Sequence, residues 1–195
     1  MTTNLFLGSR VRLSAVDPEK DAPAIAAWSR DPEYVQLLSS GIARPWTVAA
    51  VKKEMEESLG GDEPKPGAFP FLIRALDADG QPGRLMGMVD LSIDHWSHRD
   101  AWMGISIGAR ADWGQGYGSD AMRLILRYAF DELNLYRVTL SVFEYNARAI
   151  QTYRKLGFRE EGRQRQRLNR YGRWWDMLIM GLRRAEWQPQ PHHES

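Results

Sequence analysis

Ile105-Ser106-Ile107-Gly108-Ala109-Arg110-Ala111-Asp112-Trp113-Gly114-Gln115-Gly116-Tyr117-Gly118-Ser119-Asp120 runs from an apolar strand through alternating glycines into a strongly patterned helix. Gly114, Gly116 and Gly118 have access to backbone conformations closed to residues that carry a Cβ, so successive amide N–H groups there can turn toward one point. Ser119 reads as the N-cap that follows, and Met122, Ile125, Leu126, Ala129, Phe130 and Leu133 fall on one stripe at i, i+3, i+4 spacing. A helix buried along one side is fixed in its aim. Its unpaired N–H groups and the positive end of its dipole suit a phosphate or pyrophosphate, the dipole adding about 0.3–1 kcal/mol at an exposed end. The same glycines are equally consistent with a strand-to-helix turn that binds nothing. A dinucleotide fingerprint fits poorly, because the third glycine of Gly-x-Gly-x-x-Gly, counted from Gly114, falls on Ser119. A triphosphate loop needs Gly-Lys-Ser/Thr, which is missing.

Outward from this stretch, Arg10 to Val16 alternates as a first strand. Asp21 caps a helix over Ala22 to Ser29 with Pro23 in its first turn, and Asp31-Pro32 closes it. Thr47 caps a helix through Leu59, with Lys52, Lys53, Glu54, Glu56 and Glu57 forming a solvated face. Gly60-Gly61 and Pro64 to Gly67 break the chain into the loop expected to move most. Phe69 to Leu76 and Leu85 to Ile93 form a hairpin across Asp77 to Gly80. A polar loop, Asp94 to Asp100, precedes a strand over Ala101 to Ala109. Beyond the long helix, Arg137 to Phe143 is the next strand, and strand, cradle, helix and strand in succession make a right-handed parallel crossover. Asn146 caps a short helix, Ala147 to Leu156, that stops at Gly157. Phe158 to Leu168 and Arg173 to Leu182 close the chain as a hairpin. The resulting class is α/β, with helices on the faces of a mixed sheet.

With 195 residues, 43% hydrophobic and 26% charged, the chain fits one folded domain. That domain spans 10–185, after a short lead over 1–9 and before a polar tail over 186–195. No apolar run approaches a membrane span and no signal-peptide pattern opens the sequence, so the expected compartment is the cytoplasm. A net charge of +1 supplies no global field for nucleic acid or an acidic membrane. The absence of cysteine excludes thiolate nucleophiles, disulfides and thiolate metal sites, and the four histidines show no metal-ligand spacing.

The element order and two motifs resemble the GNAT superfamily of acetyl-coenzyme A dependent N-acetyltransferases over about Arg10 to Leu182. The cradle is similar to the family pattern Gln/Arg-x-x-Gly-x-Gly/Ala at Trp113 to Gly118. Asn146-Ala147-Arg148-Ala149-Ile150-Gln151-Thr152-Tyr153-Arg154-Lys155-Leu156-Gly157-Phe158 resembles the signature that carries its asparagine, tyrosine and Gly-Phe. Glu161-Gly162 and Tyr171 to Met180 are similar to the branch of ribosomal-protein alanine and spermidine acetyltransferases. The resemblance implies a mixed, mostly antiparallel central sheet with helices on both faces, and acetyl-coenzyme A as cosubstrate without a metal. It also implies roles by position. The amides of Gly114, Gln115, Gly116, Tyr117, Gly118 and Ser119, with Trp113 opening the loop, would bind pyrophosphate. Ser106, Ile107 and Gly108 would pair through backbone with the pantetheine arm. Asn146 would contact that arm or a water, and Tyr153 would protonate the departing thiolate. The acceptor would be a primary amine, on a protein N-terminus or a small molecule, and a homodimer is compatible with the family.

Chemistry supports these roles independently: an amine attacking a thioester needs a positioned carbonyl, a polariser for the oxyanion and an acid for sulfur. Tyr153 and Asn146 lie two helical turns apart and can face one cleft; as structure alone they are a core aromatic and a cap. Two departures stand out. Trp113 replaces the usual Gln or Arg, and Trp102 stands where relatives often carry a glutamate base. A lysine-type amine costs roughly 4.6 kcal/mol to deprotonate at neutral pH, whereas an α-amine costs about 1–1.4 kcal/mol, so a weak base favours the latter. Asp90, Asp94 and His95 are substitutes, each also readable as a solvated residue. The competing function is a non-catalytic acyl-coenzyme A sensor that lost its base. Arg163, Arg165 and Arg167 share a strand face by the two-residue repeat and admit a solvated face, an acidic acceptor, a subunit contact or RNA.

Overall fold

Alternating apolar residues assemble seven strands into one sheet in the order β1-β2-β3-β4-β5-β7-β6. These are β1 Val11–Ser14, β2 Ala68–Leu76, β3 Pro82–Ser92, β4 Asp100–Ile107, β5 Arg137–Phe143, β6 Arg159–Arg170 and β7 Arg173–Arg183. All neighbours are antiparallel except β4 and β5, which run parallel as the crossover reading requires. Among the described residues, five α-helices accompany them: α1 Pro18–Trp28, α2 Pro32–Leu38, α3 Val48–Leu59, α4 Tyr117–Arg127 and α5 Ala147–Lys155. The structure is a computed structural model that describes residues 4–59 and 66–188. The expected break at Gly60-Gly61 and Pro64 and the tail beyond 188 lie outside the described residues.

The sheet is sandwiched. On one face Ala22, Ile25, Ala26, Val51 and Met55 of α1 and α3 pack on Leu72 and Leu85. On the other, the stripe of α4 joins Val89, Leu91, Met103, Val138 and Leu140, and Ile150 and Tyr153 of α5 extend the same core. Beyond Arg127 the helix widens into one π turn, Tyr128–Glu132, and Leu133 N–H reaches Tyr128 O at 3.0 Å. Ala129 and Phe130 stay fully buried through it.

Several local expectations are corrected. Helix α1 begins earlier because Asp17, not Asp21, is its cap, accepting from Lys20 N–H at 3.3 Å with Pro18 as the first helical residue. Asp21 is instead buried, accepting from Arg74 at 2.5 Å and from Asp17 N–H. Asp31-Pro32 does not merely close α1; Asp31 caps α2, a helix the sequence reading lacks. The first strand shortens to four residues. The two-residue repeat of Arg163, Arg165 and Arg167 fails because Gln166, at φ 50°, sits in a bulge between Gln164 and Leu168. Arg163 lies among Glu144, Glu160 and Asp176. Ordered chain runs past Glu186, where Trp187 packs on Phe130 with ring centroids 5.2 Å apart.

One buried carboxylate ties the first strand to the central helix. Asp120, in the first turn of α4, accepts from Ser9 Oγ at 3.1 Å, Arg10 N–H at 2.8 Å and Val11 N–H at 3.1 Å. Gly8 leaves room for it, since a Cβ there would overlap the carboxylate. Asp120→Ala leaves buried donors unpaired and is expected to lower unfolding free energy by about 3 kcal/mol, with Asp120→Asn losing roughly half as much. The urea midpoint should fall at unchanged slope.

Candidate active site

Parallel pairing of β4 with β5 covers Asp100/Arg137, Ala101/Val138 and Trp102/Thr139 and then stops. From Met103 to Ile107, β3 is the only strand neighbour of β4 among the described residues. Antiparallel alternation decides which main-chain groups face the resulting gap. Gly108 N–H donates to Met86 O at 2.8 Å, so even-numbered residues of β4 direct their N–H and C=O at β3. Those of Ile105 and Ile107 point into the gap, where the indole N–H of Trp113 reaches Ile107 O at 2.8 Å. Of Ser106, Ile107 and Gly108, Ile107 therefore turns its main chain to the gap, joined by Ile105, which the sequence reading did not single out.

The cradle closes one end. Gly114 and Gly116 take φ of 75° and 89°, the left-handed region that glycine tolerates, and Gly116 serves as N-cap of α4 with no side-chain bond. Ser119 is thus inside the first turn rather than the cap. Gly118 is helical, and its value is closeness: a Cβ would meet the Ile107 side chain at 3.5 Å. Among the described residues, the main-chain N–H groups of residues 114–119 donate to no protein acceptor, and the first ladder bond is Asp120 N–H to Gly116 O at 3.0 Å. Gly114, Gly116, Gly118 and Ser119 border a cavity of about 420 Å³. Gln115 and Tyr117 do not border it; the Tyr117 ring packs against the core.

The loop is held from several sides. Asp112, buried, accepts both guanidinium nitrogens of Arg84 at 2.8 Å. Arg110 forks onto Asp31 at 2.9 and 2.7 Å, tying the loop to the start of α2 and holding the Asp31 carboxyl below its usual range. Trp113, besides its bond to Ile107, carries the Arg148 guanidinium 4.3 Å from its ring centroid. Its indole donor is committed within the protein, so this departure from the family pattern works as a strut between β4 and α5.

Helix α5 forms the opposite wall. Asn146 Oδ1 accepts from Ala149 N–H at 3.2 Å, and the residue also borders the cavity, so cap and wall coincide. Tyr153 borders the same cavity, 8% exposed, with its hydroxyl bonded to no described protein group. Burial pushes that phenol up to about 12, so it is protonated throughout the neutral range. A third wall comes from α2, the helix missed in the sequence: Tyr34 Oη lies 3.3 Å from Ser106 Oγ, and its ring packs edge-on to Trp28 and Trp46. The Trp28 indole lies so close over Gly108 that a Cβ there would overlap it. Asp31-Pro32, an N-cap followed by a first-turn proline, was the signal for this helix.

On the sheet face opposite α4, Trp102 is 43% exposed, and the carboxylate that β4 carries, Asp100 at its first residue, accepts from Thr139 Oγ1 at 3.3 Å. Of the three substitute bases, Asp94 and His95 lie past the end of β3. Asp90 lies within it, directly across from Gly104.

Residues 10–159 match the acetyltransferase (GNAT) domain family. The uncharacterized N-acetyltransferase YnaD of Bacillus subtilis is 32% identical over 168 residues, 86% of this chain and 91% of YnaD. The spermidine N(1)-acetyltransferase of Escherichia coli is 39% identical over 87 residues, 45% of each chain. The crystal structure of spermidine N-acetyltransferase from Vibrio cholerae, in complex with CoA and spermine, superposes with a TM-score of 0.75 at 24% identity, covering 91% of this chain and 98% of that one. The family match runs over most of the chain, from β1 to the first residue of β6, so the chain belongs to the GNAT acetyltransferase family, whose reaction carries an acetyl group from acetyl-coenzyme A to an amine.

Proposed function

We propose that this chain acetylates a primary amine of modest basicity, a protein N-terminus or a small molecule, by direct attack on acetyl-coenzyme A lying in the β4–β5 gap. The observation that carries the reading is the run of unpaired amides over residues 114–119 at the end of an open strand edge. Those donors and the positive end of α4 suit a pyrophosphate. Ile105 and the open side of β4 suit the amides of the pantetheine arm, which would replace β5 as strand partner. The Arg10 side chain, 3.4 Å from a Cβ built on Gly116, adds positive charge beside the loop.

Across the gap, Asn146 keeps its amide N–H₂ for the arm or a water, since only its carbonyl oxygen serves the cap. Tyr153 is suited to donate to sulfur. A phenol near 12 is a weaker acid than a thiol by roughly 3.5 pKa units, so complete transfer from Tyr153 alone is uphill. The hydroxyl therefore acts as a donor while charge grows on sulfur, and it recovers a proton from the newly bonded nitrogen. The reaction needs no covalent enzyme intermediate, and the chain has no cysteine to form one.

The acceptor class rests on energetics. With tryptophan at position 102, amines that lose a proton near neutrality are favoured over alkylamines by about 3 kcal/mol. The spermidine acetyltransferases among the relatives make polyamines the natural comparison in a test.

In a thiol-release assay against an amine panel, an alanyl peptide with a free α-amine should be turned over faster than spermidine at pH 7; the reverse order would refute the acceptor class. Tyr153→Phe should lower kcat about 100-fold while the coenzyme Kd changes less than about twofold, and parallel losses would mark the residue as structural. Gly116→Val forces a β-branched residue to a positive φ in the cradle, so calorimetry should find no coenzyme binding while circular dichroism stays that of the parent.

A further inference from the structure

We infer that Asp90 is the proton acceptor for the incoming amine, from its seat over Gly104 on the face of β4 opposite α4; the inference rests on the reading above that the acetyl donor lies along that strand. Asp90 pairs with Gly104 in register, and by the two-residue repeat it shares a face with Trp102 and Ser106. Gly104 makes that seat. A Cβ built there comes within 2.5 Å of Asp90 Oδ1, so the carboxylate occupies the space a side chain on β4 would fill. The acid that Trp102 displaces from β4 is supplied by the neighbouring strand, one pleat along and on the same side.

Asp21, Asp31, Asp112, Asp120 and Asp176 each accept hydrogen bonds or ion pairs, whereas the Asp90 carboxylate has neither among the described residues. The groups around it on that face are Met88 and Ser92 of β3, Pro70 and Leu72 of β2, and Trp102, Gly104 and Ser106 of β4, none of them charged. Arg74, further along β2, is bonded to Asp21, and Tyr34 of α2 reaches this face only at Ser106. Desolvation, with no charge opposing it, raises the Asp90 carboxyl from its ordinary 3.8 to about 6. The site remains exposed to solvent, which a base must be if it is to pass its proton on.

The proton balance is complete. A bound R–NH₃⁺ gives one proton to Asp90, which releases it to water. The nitrogen lone pair then forms the C–N bond, the C–S bond breaks with its electrons going to sulfur, and the second proton leaves nitrogen for sulfur through the Tyr153 hydroxyl. An acceptor near pKa 8 must climb about two units to protonate a carboxylate near 6, an alkylamine more than four, consistent with an α-amine substrate.

Asp90→Asn is close in shape and removes the base. On whichever panel amine the parent acetylates, kcat/KM should fall about 100-fold or more and the acidic limb near pH 6 should vanish, with acetyl-coenzyme A affinity by calorimetry within about twofold. Gly104→Ala should push the carboxylate aside and cost roughly tenfold while keeping an acidic limb. A second readout needs no substrate. A carboxyl raised by the fold weakens it on ionising, a loss that sets in as pH rises past 4 and is complete above 6, so Asp90→Asn should raise Tm relative to the parent at pH 8 and not at pH 4. Carboxyl ¹³C titration of Asp90 near 4, or Asp90→Asn activity within threefold with its acidic limb intact, would overturn the assignment. A parent that binds no coenzyme would instead overturn the reading beneath it.

Discussion

Strand β4 loses its parallel partner after Trp102, and the whole site depends on that parting. An unpaired strand edge inside a sheet is costly unless water or another chain satisfies its N–H and C=O groups. Here the edge opens on a cavity, and it is kept open by packing rather than by strain. The Trp113 indole bonds Ile107 O and stacks under Arg148, bridging the two sides. Helices α4 and α5 both begin at the gap, so two sets of helix N-termini converge where a strand would otherwise continue. A ligand with amides along its length can complete such an edge as a strand would, and a phosphate-bearing end then meets the donors of α4.

Charge is partitioned across the sheet. On the coenzyme side the acids are already engaged: Asp112 by Arg84, Asp31 by Arg110, Asp120 by main-chain N–H groups and Ser9. Arg148 and Lys155 border the cavity, and Arg10 stands by Gly116. The local field there favours an anion even though the chain as a whole carries only +1. On the other side Asp90 carries a solvent-exposed carboxylate with no ion pair among the described residues, where the proposed base would meet an ammonium group. On the proposed reading, one strand separates the polyanion's place from the cation's.

The central unit was legible because its signals are local. Glycines at 114 and 116 meet a backbone requirement no other residue meets cheaply, the stripe from Met122 to Phe130 has helical period, and Asn146 and Gly157 bracket α5. What escaped depended on contacts distant in sequence. Ser119 looks like a cap by composition, but the bend at Gly116 already starts the helix one residue later. Asp120 reads as a helical surface acid until β1 arrives, 109 to 111 residues away in sequence, to bond it. The Gly108 requirement comes from Trp28, and the engagement of Trp113 comes from Arg148. The two-residue repeat placed the arginines of β6 together, yet a single left-handed residue, Gln166, was enough to break it.

The replacement of a β4 acid by Trp102 would suggest a lost activity if catalytic groups were counted strand by strand. In a pleated sheet the relevant unit is a face, and neighbours on one face come from different strands. Trp102 and Asp90 occupy one face of adjacent strands, and Gly104 between them leaves the space that the carboxylate fills. Met88, Pro70 and the indole of Trp102 share that face with a carboxylate that stays open to solvent, and no described cation pairs with it to lower its proton affinity. The exchange sets a limit as well. A carboxylate near 6 handles an ammonium near 8 at a cost of about 3 kcal/mol but an alkylammonium at about 6 kcal/mol, a difference of roughly a hundredfold or more in rate. That difference comes from the two amines and is the same for any base, so it weighs toward weakly basic acceptors before any contact with the rest of the acceptor is made.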